Sequence, residues 1–224
     1  MEQTEVKYWY LREHKLFRTL SNSDINKLCI ITRYKTAAKG EYIYFGSEGT
    51  SRIYFLKKGI IRISERNGDK ENIKDILQTG DLFGALDLNG TDAVASEFAQ
   101  VISDKVIICS FLTTDFENVL ASDPKLAVSY TKIVGLKFKK LSNRYANLVF
   151  KDVKERLRDF LFQWAKAEGV EADGFYRIHN YLTQQDIASI VCASRQTVAQ
   201  LIGELEQQGN IAYNRKEIMI RKEW

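Results

Sequence analysis

The sequence predicts an α+β fold in three parts: short strands closed into a small barrel or jelly roll, one long helix, and a C-terminal group of short helices finished by a hairpin. Three observations carry this. Between Arg33 and Phe111, runs rich in β-branched and aromatic residues alternate with glycine-bearing turns. From Pro124 to Phe150 the chain has one internal glycine, Gly135, no further proline, and apolar residues at helical spacing. From Thr183 to Gly209, two helical patterns, each preceded by a hydroxyl residue, flank a tight turn.

Composition bounds the classes of function. A chain of 224 residues with 45% hydrophobic and 28% charged residues has ample means to bury a core. The three cysteines, Cys29, Cys109 and Cys192, are scattered and form no CxxC pair. That spacing argues against zinc and iron–sulfur sites and for buried thiols in a reducing compartment. The start, "MEQTEVKYWYLREH", has no apolar signal core, and no apolar run reaches the roughly 20 residues of a membrane helix. The expected location is the cytoplasm. No nucleophile–base pair, P-loop or metal constellation is present, so no enzyme is expected and no catalytic residue is named.

Charge is distributed unevenly. Residues 1–123 carry 16 Lys+Arg against 18 Asp+Glu, a net −2. Residues 124–150 carry six basic and no acidic residues, net +6, and residues 151–224 carry 11 of each. No part is basic enough to announce nucleic-acid binding by charge alone.

The elements follow in order. "EVKYWYLREHKLF" and "NSDINKLCII" have helical spacing, with Asn22 or Ser23 positioned to cap the second. His14 is expected on the surface. "EYIYF", "RIYFLKKGIIRISER" and "KVIICSF" read as strands, and Asn67-Gly68 as a hairpin turn. "GDLFGALDLNGTDAVASEFAQV" brings Gly80, Gly84 and Gly90 close together. Such a loop is either a phosphate-binding turn or a corner between strands.

Pro124 suits the first turn of the long helix. Ala127, Thr131, Val134, Phe138, Leu141, Tyr145 and Leu148 recur in alternating steps of four and three. That heptad seam predicts a homodimer, with Val134, Phe138, Leu141, Tyr145 and Leu148 at its centre. A second stripe, Leu126, Tyr130 and Ile133, is expected to pack on the barrel. Next, "KDVKERLRDFLFQWAKAEG" puts Val153, Leu157, Phe160, Leu161 and Trp164 on one helical face and stops at Gly169.

"YLTQQDIASIVCASRQTVAQLIGELEQQGNI" then reads as a helix-turn-helix. Thr183 caps "QQDIASIV", Ala188 is small where the second helix crosses, and Ser194 caps "RQTVAQLIGELEQQ". Val198, Leu201, Ile202 and Leu205 point inward and leave Arg195, Gln196 and Gln200 outward. "NIAYNRKEIMIRKEW" supplies a hairpin wing whose Arg215, Lys216, Arg221 and Lys222 can lie by phosphates. Arg195 suits guanine and Gln196 adenine, Thr197 suits a phosphate, and Ser194, Thr183 and Gln185 flank the same surface. The other reading of the winged helix is a surface that docks protein.

These motifs resemble the CRP/FNR family of bacterial transcription regulators over nearly the whole chain. "GDLFG", "NLVFKDVKERLRDFL" and the helix-turn-helix occur in the family's order and spacing. The resemblance implies an effector domain at 1–123 with a β-roll (a double-stranded β-helix, jelly-roll-like) of the cyclic-nucleotide-binding kind. It also implies a dimerisation helix at 124–150 and a winged helix-turn-helix at 151–224. The implied partners are double-stranded DNA with a palindromic operator, a second copy of the chain and RNA polymerase, with no membrane.

The sequence departs from the family at its sensor. Cyclic-AMP binders of the family resemble Gly-Glu-Leu followed about ten residues later by Arg-Ser or Arg-Thr, the arginine pairing with the cyclic phosphate. Here the matching residues are Gly84-Ala85-Leu86, then Ala95 and Ser96, and no arginine occurs between Arg66 and Arg144. Leu141 and Ser142 fall where the family's Thr-Ser pair meets adenine. The pocket is therefore read as degenerate and cAMP is not expected as its ligand. An iron–sulfur cluster would need an N-terminal cysteine group, and only Cys29 lies there. An unidentified small effector and activity set by abundance alone stay open. Two departures touch the DNA-binding half. Cys192 stands where glycine is common, and Gln200 replaces a frequent arginine.

Overall fold

The structure, a computed structural model, describes residues 11–12, 14, 16–18, 20–31, 33–44, 52–68, 70–84 and 97–223. It forms two compact units, residues 1–138 and 139–224, whose boundary falls within the long helix.

The first unit opens with α1 (Asn22–Ile31). Its cap is Ser21, one residue before Asn22 and two before Ser23, the two expected candidates. The Ser21 hydroxyl accepts from Asp24 N–H (3.1 Å) and donates to the Asp24 carboxylate (2.6 Å). An oxygen at that position satisfies an orphan amide of the first turn. Cys29's side chain lies outside the described residues, as does the stretch before Leu11.

Among the described residues eight strands follow: β1 (Arg33–Ala38), β2 (Tyr42–Tyr44), β3 (Arg52–Lys58), β4 (Ile61–Asn67), β5 (Lys70–Leu77), β6 (Leu82–Phe83), β7 (Glu97–Val101) and β8 (Lys105–Leu112). They pair antiparallel into two four-stranded sheets, ordered β1-β8-β3-β6 and β2-β7-β4-β5. The β4–β5 register pairs Asn67 with Lys70. The hairpin tip therefore begins at Gly68 (φ +60°), one residue later than the sequence suggests.

Alternation along the strands gives the roll two cores. Ile43, Leu56, Ile61, Ile63, Ala99 and Ile108 fill the space between the sheets. Ile53, Phe55, Cys109 and Phe111 point from the other face of the first sheet and meet Phe17, Ile25 and Leu28. His14 belongs with this second core, contrary to the surface position expected of it. It is buried, and its ring packs edge-on to Phe55 with centroids 5.4 Å apart.

Helix α2 (Thr113–Ser122) leads into α3 (Pro124–Phe150). The Asp123 carboxylate accepts from the N–H groups of Lys125 (2.9 Å) and Leu126 (3.1 Å), so Asp123-Pro124 is a capped helix start. Leu126 is fully buried, and Tyr130 and Ile133 pack on the same core, as the second stripe requires. Burial raises the Tyr130 phenol above its ordinary pKa.

In the second unit, α4 (Val153–Glu168) opens with a reciprocal capping box between Asp152 and Glu155. Leu157, Leu161 and Trp164 are buried along its length. Gly169 does end the helix, yet its φ is negative. Glycine is needed because a Cβ would lie 2.4 Å from the Ala165 carbonyl oxygen. A sheet ordered β11-β12-β10-β9 completes the unit, from β9 (Val170–Ala172), β10 (Phe175–His179), β11 (Ile211–Tyr213) and β12 (Glu217–Arg221). Strand β9 goes beyond the elements the sequence predicts. Asp173 (φ +49°) and Gly174 (φ +79°) form the two-residue turn that joins it to β10.

Candidate nucleic-acid interface

Helices α5 (Gln184–Ile190) and α6 (Arg195–Gln207) are the two arms of the helix-turn-helix. Thr183 caps α5 in a reciprocal box. Its hydroxyl accepts from Asp186 N–H (3.1 Å), and the Asp186 carboxylate accepts from Thr183 N–H (2.8 Å). Ile187 and Ala188 are fully buried, and the missing bulk at Ala188 lets the helices cross closely. Ser194 caps α6 by accepting from Thr197 N–H (3.0 Å). On α6, Val198, Ile202 and Leu205 are buried while Leu201 is half-buried.

The opposite face of α6 is open. Arg195, Gln196 and Gln200 are exposed, and Gln185 is exposed on α5. An arginine in the first turn opposes the helix dipole, so it gains nothing locally from that position. Two side chains of α6 are engaged within the motif. Thr197 Oγ1 lies 2.8 Å from Ser194 Oγ, and Gln200 Nε2 donates to Glu204 (3.0 Å).

The wing tip, Asn214–Lys216, joins β11 to β12 and exposes Arg215 and Lys216. It is held from both sides. Asn180 Nδ2 donates to the Asn214 carbonyl (2.8 Å), and the Asn214 side chain accepts from Lys216 N–H (2.9 Å) and Glu217 N–H (2.8 Å). Glu206 accepts from Tyr213 N–H (2.8 Å), tying the wing to α6. Arg221 and Lys222 lie away from this tip. Lys222 pairs with Glu171 of β9, and the Arg221 guanidinium sits 5.9 Å from the Phe175 ring centroid.

The turn between the arms contains Cys192, which is left-handed (φ +52°) and exposed. Of the three thiols expected to be buried, Cys109 is and Cys192 is not. The turn's carbonyls are capped from a distance. Arg156 Nε donates to the Val191 carbonyl (2.9 Å), its Nη2 to that of Cys192 (3.3 Å), and its Nη1 to that of Lys151 (2.7 Å). Arg144 Nη2 donates to the Ile190 carbonyl (3.1 Å). The sequence gives no sign of the bonds from either arginine to this turn, whose carbonyls lie 35 to 46 residues away.

Of the seven residues assigned to the effector pocket, Ala85, Leu86, Ala95 and Ser96 lie outside the described residues. Gly84 ends β6 with φ +93°, and a Cβ there would meet the Arg52 carbonyl at 2.4 Å. Glycine is required at that strand corner on steric grounds alone. Just before it, Phe83 stacks on Tyr54, and Lys137 of α3 donates to the Leu82 carbonyl. Leu141 and Ser142 are exposed on α3. The heptad seam is exposed as well, with Phe138 at 72%, Tyr145 at 69% and Leu141 at 64%.

Among the described residues, no cluster of side chains is arranged to hold a metal ion, and no helix is long and apolar enough to cross a membrane.

An antiparallel β-roll, a long helix and a winged helix-turn-helix with an open recognition face together define a class of bacterial transcription regulators. Residues 34–123 match the family model of a cyclic nucleotide-binding domain, and residues 155–223 that of a Crp-like helix-turn-helix domain. The chain belongs to the CRP/FNR family. Among its relatives is the CRP-like cAMP-activated global transcriptional regulator of Mycobacterium tuberculosis, 26% identical over 81% of each chain. The global nitrogen regulator of a Nostoc species is 25% identical over 84% of this chain and 85% of that protein. The anaerobic regulatory protein of Bacillus subtilis is 24% identical over 86% of this chain and 82% of that protein. The fold is shared with a CooA mutant from Carboxydothermus hydrogenoformans, with a TM-score of 0.73 and 24% identity over 87% of this chain and 85% of that one.

Proposed function

We propose that the chain is a homodimeric, sequence-specific DNA-binding protein that regulates transcription from a two-fold-symmetric operator. The observation that carries this reading is the first turn of α6. Arg195 and Gln196 face solvent on a helix whose other face is buried and whose start is fixed by Ser194. A guanidinium there can bond a guanine edge twice and an amide an adenine edge twice, each contact discriminating by roughly 1–3 kcal/mol. Thr197, Gln200, Ser194, Thr183 and Gln185 surround them. Arg215 and Lys216 on the braced wing reach phosphates, which position the protein without reading sequence.

The second copy comes from α3. A stripe with Val134, Phe138, Leu141, Tyr145 and Leu148 at heptad spacing is exposed, and an exposed apolar stripe of this kind marks an interaction surface. Self-association along α3 covers it and pairs two recognition helices. Three functional parts follow: residues 1–123 for sensing, 124–150 for dimerisation and 151–224 for DNA. RNA polymerase is the further partner such a regulator needs, and the cytoplasm is where both partners are met.

The sensor does not use cAMP in this reading. A buried cyclic phosphate requires a counter-charge, and no arginine lies between Arg66 and Arg144. The ligand is a different small molecule, or the protein acts without one. Calorimetric titration with cAMP should give no heat of binding, and micromolar affinity would overturn this part. Selection of bound sequences from random DNA tests the main reading. It should return a two-fold site with half-sites roughly 34–36 Å apart, and recovery of no enriched sequence would sink it.

A further inference from the structure

The first arm of the helix-turn-helix is only seven residues long. Its last carbonyls have no partners within the helix, and the turn that follows contains a left-handed non-glycine residue. The amides of this turn go back to α5. Val191 N–H donates to the Ile187 carbonyl (2.9 Å), Cys192 N–H to that of Ser189 (3.3 Å), and Ala193 N–H to that of Ala188 (2.9 Å). The carbonyls go elsewhere. Three in succession, those of Ile190, Val191 and Cys192, accept from two guanidinium groups.

Those groups come from two other helices. Arg144 projects from the C-terminal half of α3 and Arg156 from the first turns of α4. Arg156 also donates to the Lys151 carbonyl, at the junction between α3 and α4. A positive charge at a helix C-terminus is favourable in itself, and a guanidinium can serve several carbonyls from one rigid plane. The base-reading residues begin at Arg195, three positions beyond Cys192. The direction in which α6 leaves the turn is thus fixed by bonds to α3 and α4, as well as by the packing of α5 against α6.

We propose that Arg144 and Arg156 form a clamp on the turn that sets the orientation of α6 and so serve as positioning residues for sequence recognition. The inference rests on the DNA-binding reading above. It assigns them no contact with DNA, since their bonds run inward to the protein backbone. Loss of one clamp bond leaves the phosphate contacts of the wing in place and lets α6 rotate relative to the bases. Specific affinity then falls, while affinity for unrelated DNA holds.

The test compares the full-length protein with Arg144→Met and Arg156→Lys on the selected operator and on random-sequence DNA across a series of salt concentrations. Methionine keeps the apolar stem of Arg144 and removes its donors. Lysine keeps the charge at position 156 but loses the planar geometry. For Arg144→Met, specific affinity should fall about tenfold, the scale of one lost charge-assisted bond. Random-DNA affinity and the salt slope should stay at their wild-type values. Arg156→Lys should lose specific affinity too, because one ammonium cannot span carbonyls on two segments. A salt slope lower by about one per protomer would make the arginine a phosphate contact and overturn the clamp. Equal losses on operator and random DNA, tracking a lower melting temperature, would reduce it to general stability and also overturn it. If wild type selects a site and both variants bind it equally well, the clamp alone fails. If wild type selects no site, the DNA-binding reading fails and takes the clamp with it.

Discussion

His14 Nε2 lies 2.9 Å from the carbonyl oxygen of Gly80, across 66 residues of chain. The other ring nitrogen, Nδ1, accepts from Leu16 N–H at 3.2 Å. Nδ1 therefore has no proton, and Nε2 is the donor to Gly80. One neutral imidazole pins the N-terminal segment to the Gln78–Asp81 turn that precedes β6. That turn is closed by Gln78 N–H to the Asp81 carboxylate (2.8 Å) and by Gly80 N–H to the Leu56 carbonyl (2.7 Å). Replacing His14 with alanine leaves the Leu16 amide without an acceptor in a buried setting and opens space beside Phe17 and Phe55. The expected loss is about 1–3 kcal/mol, read as a lower midpoint in urea unfolding. A midpoint equal to wild type would show that the ring contributes nothing to the fold.

Cys192 is held at φ +52° without the freedom of glycine. Cys192→Gly relieves that strain but adds entropy to the unfolded chain, so a net gain of roughly 0.5–1 kcal/mol is expected. Cys192→Val should destabilise, because a β-branched residue fits this region poorly. Thermal melts of the two variants read both signs together. A glycine variant less stable than wild type would mean that the thiol makes a contact outweighing the strain.

Arg195→Ala should flatten the preference at one base pair in each half-site, a loss of about 1–3 kcal/mol of discrimination. Arg215→Ala should instead weaken all sequences alike and lower the salt slope by about one per protomer. Binding measured on a panel of single-base operator variants separates these patterns. If Arg195→Ala lowered every affinity by the same factor, the residue would be a phosphate contact and not a base reader.

Phe138→Glu and Leu141→Glu place charges on the exposed seam of α3. Neither side chain supports the fold of its own protomer, since they are 72% and 64% exposed. Helical content measured by circular dichroism should be preserved, while sedimentation shows a shift from dimer to monomer. Operator affinity should fall with dimerisation, because a monomer engages only one half-site. A wild type that sediments as a monomer would remove the seam as an interface.

The short-range features of the candidate site were legible in the sequence. Thr183 and Ser194 cap their helices by bonds to residues three positions on, so the pattern of residue types is itself the geometry. The two stripes of α3 were equally legible, because helical periodicity assigns each residue a face. One comes out buried at Leu126 and the other exposed at Phe138. The hairpin joining β9 and β10 is also written locally, in the Asp173-Gly174 pair that takes positive φ at both positions.

What the sequence by itself determined is the class of the molecule and which residues of α6 face outward. Caps, turns and periodicity act over a few residues, and together they specify the order of roll, helix and winged helix-turn-helix. Tertiary structure decided where single polar side chains spend their hydrogen bonds. His14 looked like a surface residue until folding brought Gly80 to it. Arg144 and Arg156 meet the turn at Ile190–Cys192 only once the chain is folded. The physical reason is range. A hydrogen bond constrains only the two groups that meet, and when those groups are 35 to 66 residues apart, local pattern contains no trace of the meeting.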